Sequence, residues 1–386
     1  MKDYFGKPIK KLGFGLMRLP FFGKDERSQL DMEAVTQMAD LFLESGYSYF
    51  DSAYTYHGGQ SEVAFRTAVS SRYARDAFQI ATKLPLWRPL SAAEMRAITD
   101  ESLERCGVDY FDLYLLHSVG PDRIPMLEQM GAFDYLQGLK ADGLARNVGF
   151  SYHGSPEGLS RILDAHGSDQ IDLVQLQINY LDWDNPDVQA RLCYEAATSR
   201  GVGVVIMEPI KGGSLANFPP EAAEILQAVD PEASLASWAL RFALDLPEAA
   251  VVLSGMTTID QVRDNIAVAE GSKPLSAADH EVLQQVIAAL EKIATIPCTD
   301  CGYCLDDCPE QIPINRIIAI LNDYTRYQNL LGSRRQFNFA VGGGFAGDGP
   351  QSGRPSDCQE CGVCEDHCPQ GIDIIEANKQ AAAIFE

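Results

Sequence analysis

Eight of the ten cysteines of this 386-residue chain fall in two runs, Cys298-Thr-Asp-Cys301-Gly-Tyr-Cys304-Leu-Asp-Asp-Cys308-Pro309 and Cys358-Gln-Glu-Cys361-Gly-Val-Cys364-Glu-Asp-His-Cys368-Pro369. Three thiolates two residues apart can close on one face of an iron–sulfur cube, while a fourth, followed by proline, leads away to the neighbouring cube. The spacing therefore predicts two [4Fe–4S] clusters. The exchange of fourth ligands assigns Cys298, Cys301, Cys304 and Cys368 to one, and Cys358, Cys361, Cys364 and Cys308 to the other. The competing reading is a pair of zinc sites, which need four ligands apiece in looser pairs; the repeated C-x2-C-x2-C-x3-C-P pattern argues against it. Cys106 and Cys193 stand in helix-like stretches and read as inert buried thiols.

A second set of reactive types precedes the cysteines. A carboxylate (Asp51), a phenol (Tyr56), an ammonium (Lys83) and an imidazole (His117) follow three successive short apolar runs. Each alone has a bland reading: a turn-capping acid, a packed ring, a solvated lysine, a satisfied histidine. Together they are the groups needed to protonate and polarise a carbonyl oxygen as hydride arrives at its carbon.

The elements that must position these groups can be read from periodicity. Apolar runs at Leu12 to Gly15, Tyr47 to Phe50, Phe78 to Thr82, Phe111 to Leu116, Ala145 to Phe150, Leu173 to Gln177, Val202 to Met207 and Ala250 to Leu253 predict eight strands. Helical periods separate them at Asp31 to Leu43, Ser91 to Cys106, Pro125 to Ala141, Pro186 to Ser199 and Ala233 to Leu244. An eightfold β/α alternation over residues 1–274 has the size and rhythm of a (β/α)8 TIM barrel, whose active site lies past the carboxyl ends of its strands. A doubly wound open sheet is the runner-up, but no G-x-G-x-x-G follows the first strand.

These residues resemble the aldo-keto reductases, which carry D-x-A-x-x-Y after strand two, T-K after strand three and L-H after strand four. Here stand Phe50-Asp51-Ser52-Ala53-Tyr54-Thr55-Tyr56, Ala81-Thr82-Lys83 and Leu115-Leu116-His117. The likeness continues through Val148-Gly149-Phe150-Ser151 and Gln177-Ile178-Asn179-Tyr180, and is strongest to the subgroup in which a ferredoxin-like domain follows the barrel. Chemistry and resemblance agree on the roles: Tyr56 as acid and base, Lys83 and Asp51 as the pair that lowers its pKa, His117 as the donor that orients the carbonyl oxygen. The resemblance implies a nicotinamide cofactor, NADH or NADPH. Ser151 and Gln177 would bond its carboxamide and Met207 would face its ring. Ser254, Gly255, Met256, Thr257 and Thr258 would hold its phosphates at a helix start, with Gln261 and Asn265 on the adenine side. The bland reading of that loop is a turn capped by threonine.

Three departures from the family pattern matter. Ser254 to Thr258 lacks the basic residue that NADPH-preferring members carry, only Arg263 being nearby, so NADH is expected to bind at least as well. Met207 replaces a common aromatic, and Tyr152 an asparagine.

Residues 275–296 read as a connecting helix. Residues 297–386 read as a small α+β ferredoxin-like domain with a helix at Ile314 to Leu331 and a loop at Gly342 to Pro355. Ile312 with Ile314 and Ile372 with Ile374 mark an internal duplication. The net charge of −23 argues against nucleic acid. Thiolate chemistry without an apolar leader points to the cytoplasm, and no stretch is long and apolar enough for a membrane. The function expected is interconversion of a small carbonyl and alcohol, coupled through the clusters to electron transfer with a redox partner protein. The alternatives are an electron-transfer protein whose barrel holds another redox group such as flavin, and a reductase whose clusters are structural.

Overall fold

A computed structural model describes residues 4–23, 28–86, 88–271, 274–305, 307–342 and 351–386. Eight parallel strands close a barrel in sequence order: β1 Leu12–Gly15, β2 Tyr49–Asp51, β3 Gln79–Leu84, β4 Phe111–Val119, β5 Ala145–Tyr152, β6 Leu173–Gln177, β7 Gly203–Met207 and β8 Ala249–Gly255. Leu12 pairs with Val252 and Gly13 with Tyr49, so β1 joins the last strand to the second. The strands are rich in Val, Ile, Leu and Phe because both faces are covered.

Side chains alternate along a strand, and that alternation builds the site. Tyr49, Ala81, Leu113, Leu115, Val205 and Val251 fill the barrel interior. Two positions on from Tyr49, Ala81 and Leu115 come Asp51, Lys83 and His117, on the same inward face one layer nearer the active end. Phe5 belongs to the interior cluster and meets Tyr49 edge-on at 5.4 Å, while Asn147 donates to the Tyr4 carbonyl, so the amino-terminal segment seals the opposite end.

The helices are α1 Met32–Glu44, α2 Gln60–Phe65, α3 Ala92–Cys106, α4 Ile124–Met130, α5 Ala132–Ala141, α6 Pro156–Gln170, α7 Ala190–Thr198, α8 Pro220–Gln227, α9 Leu235–Asp245, α10 Ile259–Gly271, α11 Ala277–Glu291, α12 Ile314–Tyr327, α13 Leu330–Val341, α14 Val363–Asp366 and α15 Ile374–Phe385. Local chemistry starts them where expected: Asp31 caps α1, and Ser91 with Glu94 forms a capping box on α3. The helix expected over Pro125 to Ala141 is instead two. Gly131, with φ 64°, ends α4 and opens α5. Likewise α12 stops at Tyr327, where Gln328 turns left-handed (φ 53°) before α13. None of the described residues forms a helix long and apolar enough to cross a membrane.

The chain divides into two compact units, residues 1–211 with 236–276 and residues 212–235 with 277–386. The stretch between β7 and α9 thus groups with the cysteine module, and α8 packs on α11. Where the sequence suggested an α+β module, the described residues of 297–386 hold helices and turns but no strand. Each Ile-x-Ile pair leads into a helix, Ile314 opening α12 and Ile374 opening α15, and all four side chains enter the core of α12, α13 and α15. Of the loop expected at Gly342 to Pro355, residues 343–350 lie outside the described residues.

Candidate active site and cysteine centres

Lys83 lies at the centre of the barrel mouth. Its ammonium donates to Asp51 Oδ1 at 2.5 Å and to the Ser52 carbonyl at 2.6 Å, and it lies 5.0 Å from the centre of the Tyr56 ring. Gln175 donates to the other Asp51 oxygen at 3.1 Å. His117 meets the Tyr56 ring edge-on, centroids 5.8 Å apart. The four sequence-predicted groups therefore converge.

Burial would push the Lys83 ammonium down, but Asp51 and Tyr56 raise its pKa on balance. A charged pair this close, with Gln175 and the Ser52 carbonyl completing its bonds, is held ionised by its own geometry. Burial raises the Asp51 carboxyl against the pull of Lys83 and Gln175. The Tyr56 phenol differs from expectation. Lys83 does pull it down, but burial outweighs that pull, so the hydroxyl sits above its ordinary value and keeps its proton. His117 is pushed well below its ordinary value, by burial first and then by Lys83, His153 and Arg123, so it is neutral.

The backbone explains how Tyr56 arrives. His57, Gly58 and Gly59 are all left-handed (φ 53°, 64° and 91°) and reverse the chain into α2. The buried Ser52 and Ser61 hydroxyls bond at 2.8 Å, and Ser61 also donates to the Leu16 carbonyl, pinning the loop to β1's exit.

The residues expected to hold a nicotinamide are at the same mouth but already engaged. Ser151 Oγ accepts from the Ser118 N–H at 2.7 Å, where β4 bulges at a left-handed Ser118 (φ 59°); its own O–H remains a donor. The Gln177 amide nitrogen goes to Asp182 Oδ2 at 2.7 Å, and Asn179 and Lys211 complete that buried carboxylate's bonds. Met207 is half-buried against the barrel interior. Past β8, Asn265 donates to Ser254 Oγ at 2.9 Å. Thr258 Oγ1 accepts from the Gln261 N–H, and the Gln261 side-chain oxygen accepts from the Thr257 and Thr258 N–H groups at 2.7 and 3.3 Å. This reciprocal cap is the bland reading made concrete.

Sequence reasoning missed several neighbours. Arg18 lies over Gly255, where a methyl group would stand 3.0 Å from its Cδ, and its carbonyl accepts from Thr257 Oγ1. The aliphatic stem of Arg18 therefore flanks the loop, whereas Arg263 pairs with Asp260 at 2.9 Å. Gln175, Arg123, His153 and Glu208 also surround the tetrad. Gln175 was foreseeable, being two residues past the inward-facing Leu173; Arg18 carried no local signal.

In the second unit Cys298 and Cys358, and each cysteine pair after them, stand 60 positions apart. The backbone repeats at the same offset. Asp300 and Glu360 are left-handed (φ 55° and 54°), as are Gly302 and Gly362, and Gln311 and Gly371. The Cys304 thiol is raised by burial, with Cys298, Cys301 and Cys368 adding to the effect as close neighbours. Burial likewise pushes Cys364 up to about 11, helped by Glu365, Cys358 and Cys361. A hollow of about 350 Å3, open to solvent, is lined by Cys308, Cys358, Cys361 and Cys364 together with Asn378. Both groupings follow the predicted exchange of fourth cysteines. Among the described residues no three His, Cys, Asp or Glu side chains stand close enough to hold a metal ion; Cys308, Cys358, Cys361 and Cys364 line one hollow. Cys106 and Cys193 are buried, and burial raises both thiols.

A closed parallel barrel with an Asp–Lys–Tyr–His mouth, followed by a module of paired cysteine runs, defines an oxidoreductase with an iron–sulfur domain. The aldo/keto reductase family matches residues 11–288 and a 4Fe-4S dicluster domain matches residues 297–372. The chain belongs to the aldo/keto reductase family. It is 27% identical over 311 residues to L-galactose dehydrogenase of Arabidopsis thaliana, covering 75% of this chain and 93% of that one. To the NADH-specific methylglyoxal reductase of Escherichia coli it is 25% identical over 297 residues, 66% of this chain and 88% of the relative. The holo form of an aldo-keto reductase from Bacillus halodurans superposes with a TM-score of 0.57 at 27% identity, covering 72% of this chain and 91% of that one.

Proposed function

We propose that the protein interconverts a small carbonyl compound and its alcohol with a nicotinamide cofactor, and that two [4Fe–4S] clusters held by its eight paired cysteines exchange electrons with a redox partner. The observation that carries the first part is the continuous line Gln175–Asp51–Lys83–Tyr56, ending against His117. The nicotinamide supplies or accepts hydride. As hydride reaches the substrate carbon, Tyr56 Oη gives its proton to the carbonyl oxygen, and Lys83 stabilises the phenolate left behind. Neutral His117 donates to the same oxygen and fixes its direction, and solvent later reprotonates Tyr56. In alcohol oxidation each proton moves the other way.

The dinucleotide would lie along Ser151, Gln177, Met207 and the loop from Ser254 to Thr258, with Gln261 and Asn265 beyond. Gln261 would release the Thr257 and Thr258 N–H groups on binding, and the Arg18 stem would line the loop beside Gly255. With Arg263 tied to Asp260, NADH should bind at least as well as NADPH. The eight cluster cysteines require their thiols deprotonated and reduced, which supports a cytoplasmic setting; the net charge of −23 supports protein or small-molecule partners over nucleic acid.

The test is anaerobic purification, followed by iron, sulfide and cofactor analysis and assay of NADH and NADPH with a panel of small aldehydes and ketones. The reading expects about eight irons and eight sulfides, as two cubes of four require, with Tyr56-dependent carbonyl reduction. Flavin released in place of nicotinamide turnover, or full activity after Tyr56→Phe, would overturn it.

A further inference from the structure

The two cysteine centres are built from one repeat, but at one fully buried position an aliphatic side chain in one copy is an amide in the other. Cys308-Pro309 leads in six residues to Ile314, and Cys368-Pro369 leads in six to Ile374, so α12 and α15 start in register. Four residues further on, α12 carries Ile318 and α15 carries Asn378, both 1% exposed. Asn378 lines the hollow ringed by Cys308, Cys358, Cys361 and Cys364, and among the described residues neither its Nδ2 nor its Oδ1 has a hydrogen-bond partner. A buried amide without a partner destabilises a fold, and asparagine is a weaker helix former than the alanines that surround it in α15. The position is therefore costly unless something fills the hollow and accepts from the amide.

We infer that Asn378 Nδ2 donates a hydrogen bond to a sulfur of the cluster held by Cys308, Cys358, Cys361 and Cys364, and so makes that cluster the easier of the two to reduce. Thiolate and sulfide sulfurs accept and do not donate, so the amide presents its nitrogen. A donor to sulfur stabilises the extra negative charge that arrives with one electron and raises the reduction potential. At the matching place Ile318 offers the cluster of Cys298, Cys301, Cys304 and Cys368 only an aliphatic wall. A single electron entering the module therefore settles on the Asn378 side, which polarises a module that is otherwise nearly symmetric. This rests on both centres being loaded, and the same samples report that independently through iron and sulfide content.

The experiment is an EPR-monitored redox titration of the intact holoprotein, with dithionite as reductant. Asn378→Leu should shift the electron's distribution away from its cluster about tenfold, equivalent to 59 mV for a one-electron couple, and Ile318→Asn should raise the potential of the other cluster. Pulsed EPR of the partly reduced parent protein, labelled with 15N-asparagine, should show a nitrogen coupling that Asn378→Leu abolishes. That parent measurement decides the matter even if the variant loads poorly. Two potentials unmoved by both substitutions in fully loaded protein, or no 15N coupling in the parent, would overturn the inference; iron below the two-cluster content in the parent would instead count against the loading on which it rests.

Discussion

In the barrel mouth the polar groups answer one another, whereas in the cysteine module they face a common centre. Asp51, Lys83, Ser52 and Gln175 form a closed set of bonds, and Gln261 caps the helix start with its own side chain. Around the module's hollow stand four cysteines and one amide that has no hydrogen-bond partner among the described residues. The lesson is that the mouth is organised before any ligand arrives and should survive ligand removal, while the module is organised by what it holds.

The largest expected effect tests that contrast directly. Replacing Cys308 and Cys368 together with alanine should abolish cluster loading at both centres, because each centre loses its crossing ligand. Iron analysis checks this, and the barrel's strand signal in circular dichroism should persist. A combined loss of iron and barrel structure would break the distinction.

Next in size, Tyr56→Phe should lower carbonyl reduction by about 10²–10⁴-fold, the range for general acid catalysis, with iron content unchanged. Steady-state kinetics with the best carbonyl of the panel measure it. Lys83→Met should do comparable damage by stranding Tyr56 with a higher pKa and leaving Asp51 buried without its cation.

The pH profile sharpens the comparison further. Burial raises Tyr56 above its ordinary value of about 10, and reduction needs the protonated phenol. Reduction should therefore stay level through neutral pH on the tyrosine side and decline only above about 10, while alcohol oxidation, which needs the proton gone, climbs over the same range. His117, held well below its ordinary value, should add no step near pH 6.5; its protonation appears only at lower pH, where reduction loses the neutral donor. Rate against pH in both directions checks these signs. A reduction step centred near neutrality would mean that binding of the dinucleotide changes the mouth.

The smallest effect concerns the cap. Thr258→Ala should cost about 1 kcal/mol of stability, as loss of an N-cap hydroxyl does, measured as a shift in the denaturation midpoint of unliganded protein. Saturating NADH should shrink that difference if Gln261 and its loop are reorganised on binding.

Much of this was legible because strand periodicity and cysteine spacing are local. Seven of the eight strands lie within two residues of their expected ends, the usual uncertainty of element ends, β4 runs three residues further, to Val119, and the alternation from Tyr49 to Asp51 and from Leu115 to His117 puts these groups on one face. Helix breaks were less legible: Gly131 and Gln328 end helices through left-handed backbone, and the apolar period runs through both points without interruption. Long-range partners were not legible at all. Arg18 reaches Gly255 across 237 positions of sequence, and Gln177 is taken by Asp182, whose own role comes from the fold. Asn378 was hidden differently. Its meaning appears only when α15 is laid over α12 and the amide is found where the other copy has isoleucine.

The crossing of the fourth cysteines also sets an order in time. Cys298, Cys301 and Cys304 leave the ribosome 70, 67 and 64 residues ahead of Cys368, a wait of roughly 3–14 s at about 5–20 residues per second. During that interval the barrel sequence is already complete and can fold, but neither centre has all four of its thiols. In the assignment proposed above, the set that includes Cys308 is complete once Cys364 emerges, and the other follows four residues later with Cys368. Under that assignment both ligand sets are completed only after the whole barrel sequence has been made.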